Sequence, residues 1–246
     1  MNDVDKQKLR DLSQRVSIAS LTYSQNILKE TNDYFLHLTE KNDVDGLPES
    51  SLEAAALAAK ERSLEGWVFT LDIPNYIPFM KYATNRKLRH ELYMAYNTKC
   101  AKNNDRNNFH LVKDIVNLKM EIAQLLGYKN YADYALEERM AKDKQDVFKL
   151  LDDLKGAYLP KAKQEIEELK KFAKTDDLQP WDFSFYSRKM KESLYNFDDE
   201  ELRPYFELNN VIKGVFGLAT TLYGITFKKN DNIPVYNPDV KAFDVF

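Results

Sequence analysis

The spacing of apolar residues along the chain predicts a protein built mainly from long α-helices. Residues 4 to 41 contain no Gly or Pro and place apolar side chains at helical spacing, at Leu9, Leu12, Val16, Ala19, Tyr23 and Ile27. This pattern predicts one amphipathic helix over 4–41. Similar patterns, with capping residues and breakers, predict helices over 51–62, 73–83, 85–99, 109–126, 143–174, 180–195 and 207–223. Thr84 is expected to cap the helix over 85–99, and Pro160 is expected to kink or split the helix that contains it.

The clearest strand pattern follows Gly66. The run from Trp67 to Leu71 is mostly aromatic or β-branched, which favours a strand. Because so apolar a strand needs a partner, we expect it either to pair with a distant hairpin or to lie buried among helices. Two later strands are predicted over 225–228 and 240–246. The helix over 211–222 is the most apolar in the chain, so we expect it to be the most buried element or a site of self-association.

Composition and charge exclude several classes of function. The 246 residues are 43% hydrophobic and 30% charged, a balance typical of globular proteins, and only seven are glycine, which argues against a β-rich fold. The net charge of −3 gives no electrostatic basis for binding nucleic acid or an acidic membrane. No apolar run is long enough for a membrane helix, and the first residues lack the apolar core of a signal peptide.

The chain carries few residues that could supply catalytic chemistry. Its three histidines, His37, His90 and His110, have no second His, Cys or paired carboxylate at metal-site spacing, so we expect structural or solvated roles for them. Cys100 is the single cysteine, which rules out an internal disulfide and indicates an incidental thiol. No glycine-rich phosphate loop, Gly-x-Ser-x-Gly elbow or Cys-x-x-Cys pair is present. The sequence therefore predicts no metal or catalytic residue within the chain.

Several stretches resemble one known family in the same order along the chain. They are GWVFTLDIPNYIPFMKYATNRKLRHELYMAYNTKC from residue 66, LLGYKNYADYALEERMAK from 125, PWDFSFYSRKM from 180 and LRPYFELNNVIKGVFGLATTLYGITF from 202. With the VYNPDVKAF tail, they resemble the thimet-oligopeptidase family of zinc metallopeptidases, and within it the peptidyl-dipeptidases, also called dipeptidyl carboxypeptidases. The resemblance covers residues 40 to 246.

The resemblance implies a mainly α fold, a long-helix bundle with a few short strands that is part of a clam-shaped metallopeptidase. The family's catalytic zinc is held by a His-Glu-x-x-His helix and a downstream glutamate, which fall beyond the last residue of this sequence. We therefore expect an internal segment that forms channel wall, has the missing catalytic half as its partner, and alone neither binds zinc nor hydrolyses peptides. The parent protein is expected to use zinc, to act on short peptides with release of C-terminal dipeptides, and to be cytoplasmic.

Three sections are expected on this basis. They are an N-terminal helical hairpin over 1–63, a helical body with the strand at 67–71 over 64–204, and a lead-in to the catalytic region over 205–246. These boundaries follow the strand at one end and the start of the most apolar helix at the other.

The resemblance also directs attention to side chains that could contact a peptide. Arg86, Arg89 and Arg203 could hold the carboxylate of a peptide trimmed from its C-terminus, although ordinary ion pairs between helices account for them as well. Tyr131, in a tyrosine-rich stretch, could line a substrate channel or could pack into the core with a wet hydroxyl. Tyr205 completes this set of substrate-channel candidates.

A second interpretation of the whole chain is open. The chain could be a stand-alone, non-catalytic helical interaction module derived from the same fold. The reading frame after Phe246 separates the two interpretations. A downstream His-Glu-x-x-His supports the peptidase, and a natural stop codon supports the module.

Overall fold

The computed structural model describes residues 1–197 and 199–246, and it confirms the predicted mainly α fold. The helices are α1 (Asp3–Asp33), α2 (Glu49–Glu61), α3 (Ile73–Tyr82), α4 (Arg86–Asn97), α5 (Phe109–Leu125), α6 (Tyr131–Leu136), α7 (Lys144–Ala173), α8 (Phe183–Tyr195) and α9 (Leu208–Tyr223). The strands are β1 (Phe35–Leu38), β2 (Trp67–Thr70), β3 (Phe227–Lys229) and β4 (Phe243–Val245). Short 3-10 turns cover Lys41–Val44, Pro180–Asp182 and Asp199–Tyr205.

The chain divides into two compact units. The first unit is Met1–Lys191 and the second is Glu192–Phe246. The finer division into sections 1–63, 64–204 and 205–246 stays a prediction.

The helix predicted over 4–41 is wrong at its C-terminal end. α1 stops at Asp33, and β1 follows and pairs antiparallel with β2, so that Phe35 lies opposite Thr70. The apolar residues of β1 also fit a helical stripe, but Leu36 and Leu38 are buried and alternate with exposed neighbours, which is the period of a strand. The partner of β2 is therefore a single strand, β1, and not a distant hairpin, while helices cover the sheet as the alternative prediction expected. Pairing satisfies the backbone groups along the edge that the two strands share.

The main core of the first unit surrounds this two-stranded sheet. Phe69 of β2 and Phe79 of α3 are almost completely buried, and their rings meet edge to face with centroids 4.8 Å apart. The other buried members of this cluster are Leu36, Leu38, Val44, Leu47, Ala55, Leu71, Tyr82, Ala83, Leu92 and Ala95. Pro74 lies in the first turn of α3, where its missing N–H has no helical partner to lose.

The N-terminus of α4 is capped one residue later than predicted. The side chain of Asn85 accepts hydrogen bonds from the N–H groups of Lys87 and Leu88, at 3.1 and 3.4 Å. The predicted cap at Thr84 is wrong, because its hydroxyl donates instead to the Asp45 carboxylate at 2.8 Å. The Thr84 side chain, which the local sequence predicts as a helix cap, therefore makes a tertiary contact instead.

A second, smaller cluster forms where α1 packs on α5. Leu12 of α1 and two residues of α5, Leu118 and Ile122, are its buried members. The Asn26 amide donates to the side-chain oxygen of Asn108 at 2.9 Å, which fixes the start of α5 against α1. α5 ends as predicted, just before a glycine in the left-handed region.

The long helix α7 runs without interruption through Pro160, so the predicted split is absent. Proline removes the hydrogen bond to the carbonyl four residues earlier, which here belongs to Gly156. Both residues are exposed, so water can satisfy that carbonyl. Asp143 caps the N-terminus of α7, where its side chain accepts from the N–H groups of Gln145 and Asp146.

The second unit consists of α9 and the antiparallel pair β3–β4. The ring of Phe216 stacks on Phe227 with centroids 4.0 Å apart and meets Phe243 edge to face at 5.0 Å. Of the two outcomes predicted for this helix, burial is wrong, because α9 has no buried residue within the described chain. Self-association through α9 stays a prediction. Leu218 and Leu222, for example, remain 60% and 63% exposed.

Replacement of Gly66 tests how closely β1 approaches the turn into β2. Gly66 has φ +85°, and an added Cβ would lie 2.3 Å from the Leu38 carbonyl oxygen. Gly127 has nearly the same φ, +90°, but its added Cβ would meet nothing within 4 Å. Gly127→Ala should cost about 1–2 kcal/mol in free energy of unfolding from φ strain alone. Gly66→Ala should lower the free energy of unfolding by about 1–3 kcal/mol more than Gly127→Ala, because its Cβ clashes with the Leu38 carbonyl oxygen.

Urea denaturation of both variants, followed by circular dichroism, measures the difference. Equal losses in the two variants would contradict the close approach of β1 to residue 66.

Candidate functional site

A cluster of charged side chains joined by hydrogen bonds connects α4 to the 3-10 turn that precedes α8 in the first unit. Arg89 and Asp182 are each 1% exposed, and the Arg89 Nη2 donates to Asp182 Oδ1 at 2.8 Å. The remaining Arg89 donors meet backbone carbonyls: Nε donates to Trp181 at 3.1 Å, and Nη1 donates to Ala83 at 2.8 Å and Thr84 at 3.2 Å. The guanidinium also lies over a phenylalanine ring of α8, 4.1 Å from the centroid.

Arg86 adds a second guanidinium to the same carboxylate. Its Nε donates to both oxygens of Asp182, at 3.1 and 3.0 Å, and its Nη2 donates to Oδ2 at 2.8 Å. The Nη2 also reaches the carboxylate of Asp177 at 3.2 Å. Arg86 is 46% exposed at its side chain, so the cluster extends from the buried Arg89 to solvent. This geometry favours the ion-pair interpretation for both arginines, and a role for them in binding a peptide carboxylate stays a prediction.

The electrostatics of Asp182 follow from these contacts. Burial by itself raises the pKa of a carboxyl, but hydrogen bonds from Arg86 and Arg89 and from the Gln179 N–H favour the ionised form. The net effect is an Asp182 pKa below its ordinary value. The carboxylate therefore stays charged at neutral pH, although it is shielded from water.

The stretch that contains Tyr131 forms a pocket of about 520 Å³, called here the tyrosine pocket. Its polar and aromatic lining residues are Tyr128, Tyr131, Tyr134, Glu137, Glu138 and Arg139. The ring of Tyr134 lies 5.3 Å from that of Tyr128 and 5.7 Å from that of Tyr131, between centroids, at angles of 53° and 68°. A hydrogen bond to Glu137 raises the pKa of Tyr128. Tyr134 also packs on the α1–α5 cluster, so part of this stretch belongs to the core, and a substrate-channel role for Tyr131 stays a prediction.

The remaining two candidates belong to the second unit. Arg203 and Tyr205 lie in the 3-10 turn Asp199–Tyr205. Arg203 Nη1 donates to Glu200 at 3.2 Å, and Tyr205 is 79% exposed. The structure thus brings Arg86 and Arg89 together, places Tyr131 in a separate pocket of the same unit, and places the other two in the second unit.

The residues present do not fit a catalytic zinc site. In residues 1–197 and 199–246 no group of three or more His, Cys, Asp or Glu side chains could hold a metal ion. His37 lies in β1 rather than in the predicted helix, and its Nε2 meets the Glu65 carbonyl at 2.6 Å. His90 packs on the Trp181 ring, with centroids 4.1 Å apart. Within the part of the chain that the structure describes, no helix has the length and apolarity to cross a membrane.

Cys100 is buried, and it is the N–H of this residue that donates to the Glu30 carboxylate. Burial, with a smaller contribution from Glu30, raises the pKa of the thiol to about 11. The protonated thiol is a poor nucleophile at neutral pH, in agreement with the incidental role that the sequence indicated.

Comparison with known proteins supplies the family. The sequence profile of Peptidase family M3 matches residues 79–246, more than half of the chain. The chain belongs to peptidase family M3. This confirms the resemblance to the thimet-oligopeptidase-like peptidases that the ordered sequence stretches carried.

Three relatives show how much of an M3 protein the chain represents. Oligopeptidase A of Escherichia coli (strain K12) is 38% identical over 98% of this chain and 37% of its own length. Probable cytosolic oligopeptidase A of Arabidopsis thaliana is 38% identical over 100% of the chain and 37% of its own length. Dipeptidyl carboxypeptidase of Escherichia coli (strain K12) is 28% identical over 98% of the chain and 36% of its own length. The M3 chain therefore spans little more than a third of the length of these curated relatives.

Two residues of the arginine cluster, its acidic partners Asp177 and Asp182, were not predicted from the sequence. The signal was present in Pro180-Trp181-Asp182, where an acidic residue precedes a helix that starts next to a proline. Nothing in the local pattern relates it to arginines more than 90 residues earlier, because the pairing is a tertiary contact.

Asp182→Asn tests the buried pair. The substitution leaves Arg89 buried without its counter-charge, and we expect a loss of about 3–5 kcal/mol in free energy of unfolding. The matched control is Asp177→Asn, which removes an exposed partner of Arg86 and should leave stability close to that of the unmodified chain. Urea denaturation of each variant gives both values. A similar, small loss in both variants would contradict the structural role of Asp182.

The lowered pKa of Asp182 predicts how stability depends on pH. As the pH falls, the Asp182 carboxylate is protonated first in the unfolded chain, where the Asp pKa is about 3.9. The stabilisation that the ionised Asp182 gives the folded protein is therefore complete above that pH. It is lost as the pH falls through the lower pKa of the folded protein. Between about pH 5 and pH 2, the free energy of unfolding should therefore fall more steeply in the unmodified chain than in Asp182→Asn. Parallel curves from urea titrations across this range would contradict the assignment.

Proposed function

We propose that the chain is a segment of a zinc metallopeptidase that hydrolyses short peptides and releases C-terminal dipeptides. The observation that carries the proposal is the match to Peptidase family M3 over residues 79–246. Relatives named oligopeptidase A, at 38% identity over nearly the whole chain, support peptide hydrolysis. A relative named dipeptidyl carboxypeptidase, at 28% identity, supports the finer proposal of dipeptide release.

In this proposal the segment supplies channel wall and its missing catalytic half supplies the zinc site. The described residues hold no group of three or more candidate ligands, so the proposal assigns the zinc ligands to the missing half. Their contribution is to hold the wall in a defined geometry. The buried Arg89–Asp182 pair suits this role, because it ties α4 to the start of α8 with every charged group hydrogen-bonded.

Four of the sequence candidates remain accessible to a substrate in this proposal. Tyr131 lines an open pocket, and Tyr205 is exposed, so both rings are accessible. Arg203 is accessible as well, with a side chain 63% exposed. Arg86 presents part of its guanidinium to solvent, whereas Arg89 acts by positioning α4. A cytoplasmic location is also part of the proposal, in line with the relative named probable cytosolic oligopeptidase A.

Activity of the protein encoded by the complete reading frame tests the proposal. We expect that protein to cleave an N-terminally blocked hexapeptide, to lose activity with a chelator and to regain it with zinc. Mass spectrometry of the products separates the outcomes. Free dipeptides from the carboxyl end support the finer proposal, cleavage at internal bonds alone replaces it with an oligopeptidase, and no cleavage favours the non-catalytic interaction module.

The 246-residue chain alone should show neither zinc binding nor cleavage. A catalytic zinc site needs three protein ligands converging at about 2.0–2.2 Å, and the three histidines lie on different elements, β1, α4 and α5. Calorimetric zinc titration and the same blocked peptide are the measurements. Micromolar binding together with dipeptide release by this chain would overturn the assignment of the zinc site to a missing half.

A further inference from the structure

The tyrosine pocket combines aromatic rings with carboxylates, and of its lining residues the proposed function uses only Tyr131. Its three half-buried rings line the pocket, and the Tyr134 ring is inclined to the Tyr128 and Tyr131 rings at 53° and 68°. The face of an aromatic ring carries partial negative charge and attracts cations. The Tyr131 ring already does so within the protein, since the Lys119 ammonium lies 5.0 Å from its centroid. Among the described residues no cation lies over Tyr128 or Tyr134.

The charged residues around the rings also favour the binding of a cation. Two of the residues that line the pocket, Glu137 and Glu138, are acidic and one, Arg139, is basic, while Lys119 lies outside the lining, over the Tyr131 ring. The lining itself thus carries one more negative than positive charge. The hydrogen bond between Tyr128 and Glu137 holds one carboxylate beside the aromatic group. A cation that enters the pocket would therefore meet both ring faces and carboxylate oxygens, which is how proteins recognise organic ammonium and guanidinium groups.

The size and the donor set of the pocket point to an organic cation rather than a metal ion. Its volume of about 520 Å³ lies within the range of small-molecule sites. The lining includes no histidine or cysteine, and its two carboxylates do not belong to any metal-binding group in the described chain. Arg139 is exposed to solvent, so its guanidinium can turn away when another cation enters.

We propose that the tyrosine pocket binds an alkylguanidinium or alkylammonium group, such as the cationic end of an arginine or lysine side chain. The rings supply cation–π contact, and Glu137 and Glu138 supply opposite charge. The binding needs no zinc and no peptide cleavage, so it can be tested separately from the proposed function.

An NMR titration of the whole 246-residue chain, with ¹³C-labelled tyrosine rings, tests the proposal. The probe is Nα-acetyl-arginine amide, and the control ligand is the neutral isostere Nα-acetyl-citrulline amide. We expect saturable shifts of the Tyr128 and Tyr134 ring signals, assigned with single Tyr→Phe variants, and a dissociation constant of about 1 mM. The citrulline derivative should bind at least about tenfold more weakly because it lacks the charge. Butylguanidinium should bind within about threefold of the arginine derivative, since the pocket contacts the cationic group alone.

Three variants locate the site. Glu138→Gln should weaken binding about two- to fivefold, and Tyr128→Leu should weaken it by at least as much. Glu53→Gln, the same charge change at an exposed position on α2, should leave it unchanged. Glu138 is exposed, so its variant should fold even if Tyr128→Leu does not. The proposal is overturned if the citrulline derivative shifts the ring signals as much as the arginine derivative does, or if no saturable shift occurs at millimolar probe. Binding of the arginine derivative without binding of butylguanidinium would also overturn it. So would equal weakening of binding by Glu53→Gln and Glu138→Gln.

Discussion

The buried ion pair between Arg89 and Asp182 is the constraint on which the first unit depends most. Both side chains are almost fully removed from water, and a buried charge is tolerated only where its partner and its remaining hydrogen bonds are all in place. Arg89 meets this condition through one carboxylate and three backbone carbonyls. The pair therefore specifies a single position for the start of α8 against α4, because any other position would leave charge or donors unsatisfied.

The buried side of α4 connects this ion pair to the apolar core. Leu92, one turn after Arg89, and Ala95 lie in the cluster around the β1–β2 sheet, while Arg89 reaches the 3-10 turn before α8. One helix thus contributes both to the packing of the sheet and to the alignment of α8. The rigidity of this region arises from interactions that are buried and fully hydrogen-bonded rather than from surface ion pairs.

The tyrosine pocket, which is accessible to solvent, is separate from this ion pair. In the tyrosine pocket the aromatic rings are half-buried, and carboxylates at the rim remain in water. The arginine cluster has few donors left for a ligand. The candidates in the first unit therefore differ in accessibility: Arg89 is buried, whereas Arg86 and Tyr131 are partly exposed.

Much of this protein was determined by local sequence. Helical periodicity, Asp143 as a cap, and Gly127 after α5 each act within a few residues, so the existence and type of most elements could be predicted, as could the family from its ordered stretches. Tertiary structure decided the rest. Residues 35–38 fit a helix or a strand and became β1 because β2 offered backbone partners. Thr84 lost its capping role to Asp45, and Asp182 met arginines far away in the chain. For α9 the pattern specified an apolar face but not burial, because periodicity describes one element and burial requires a second one packed against it.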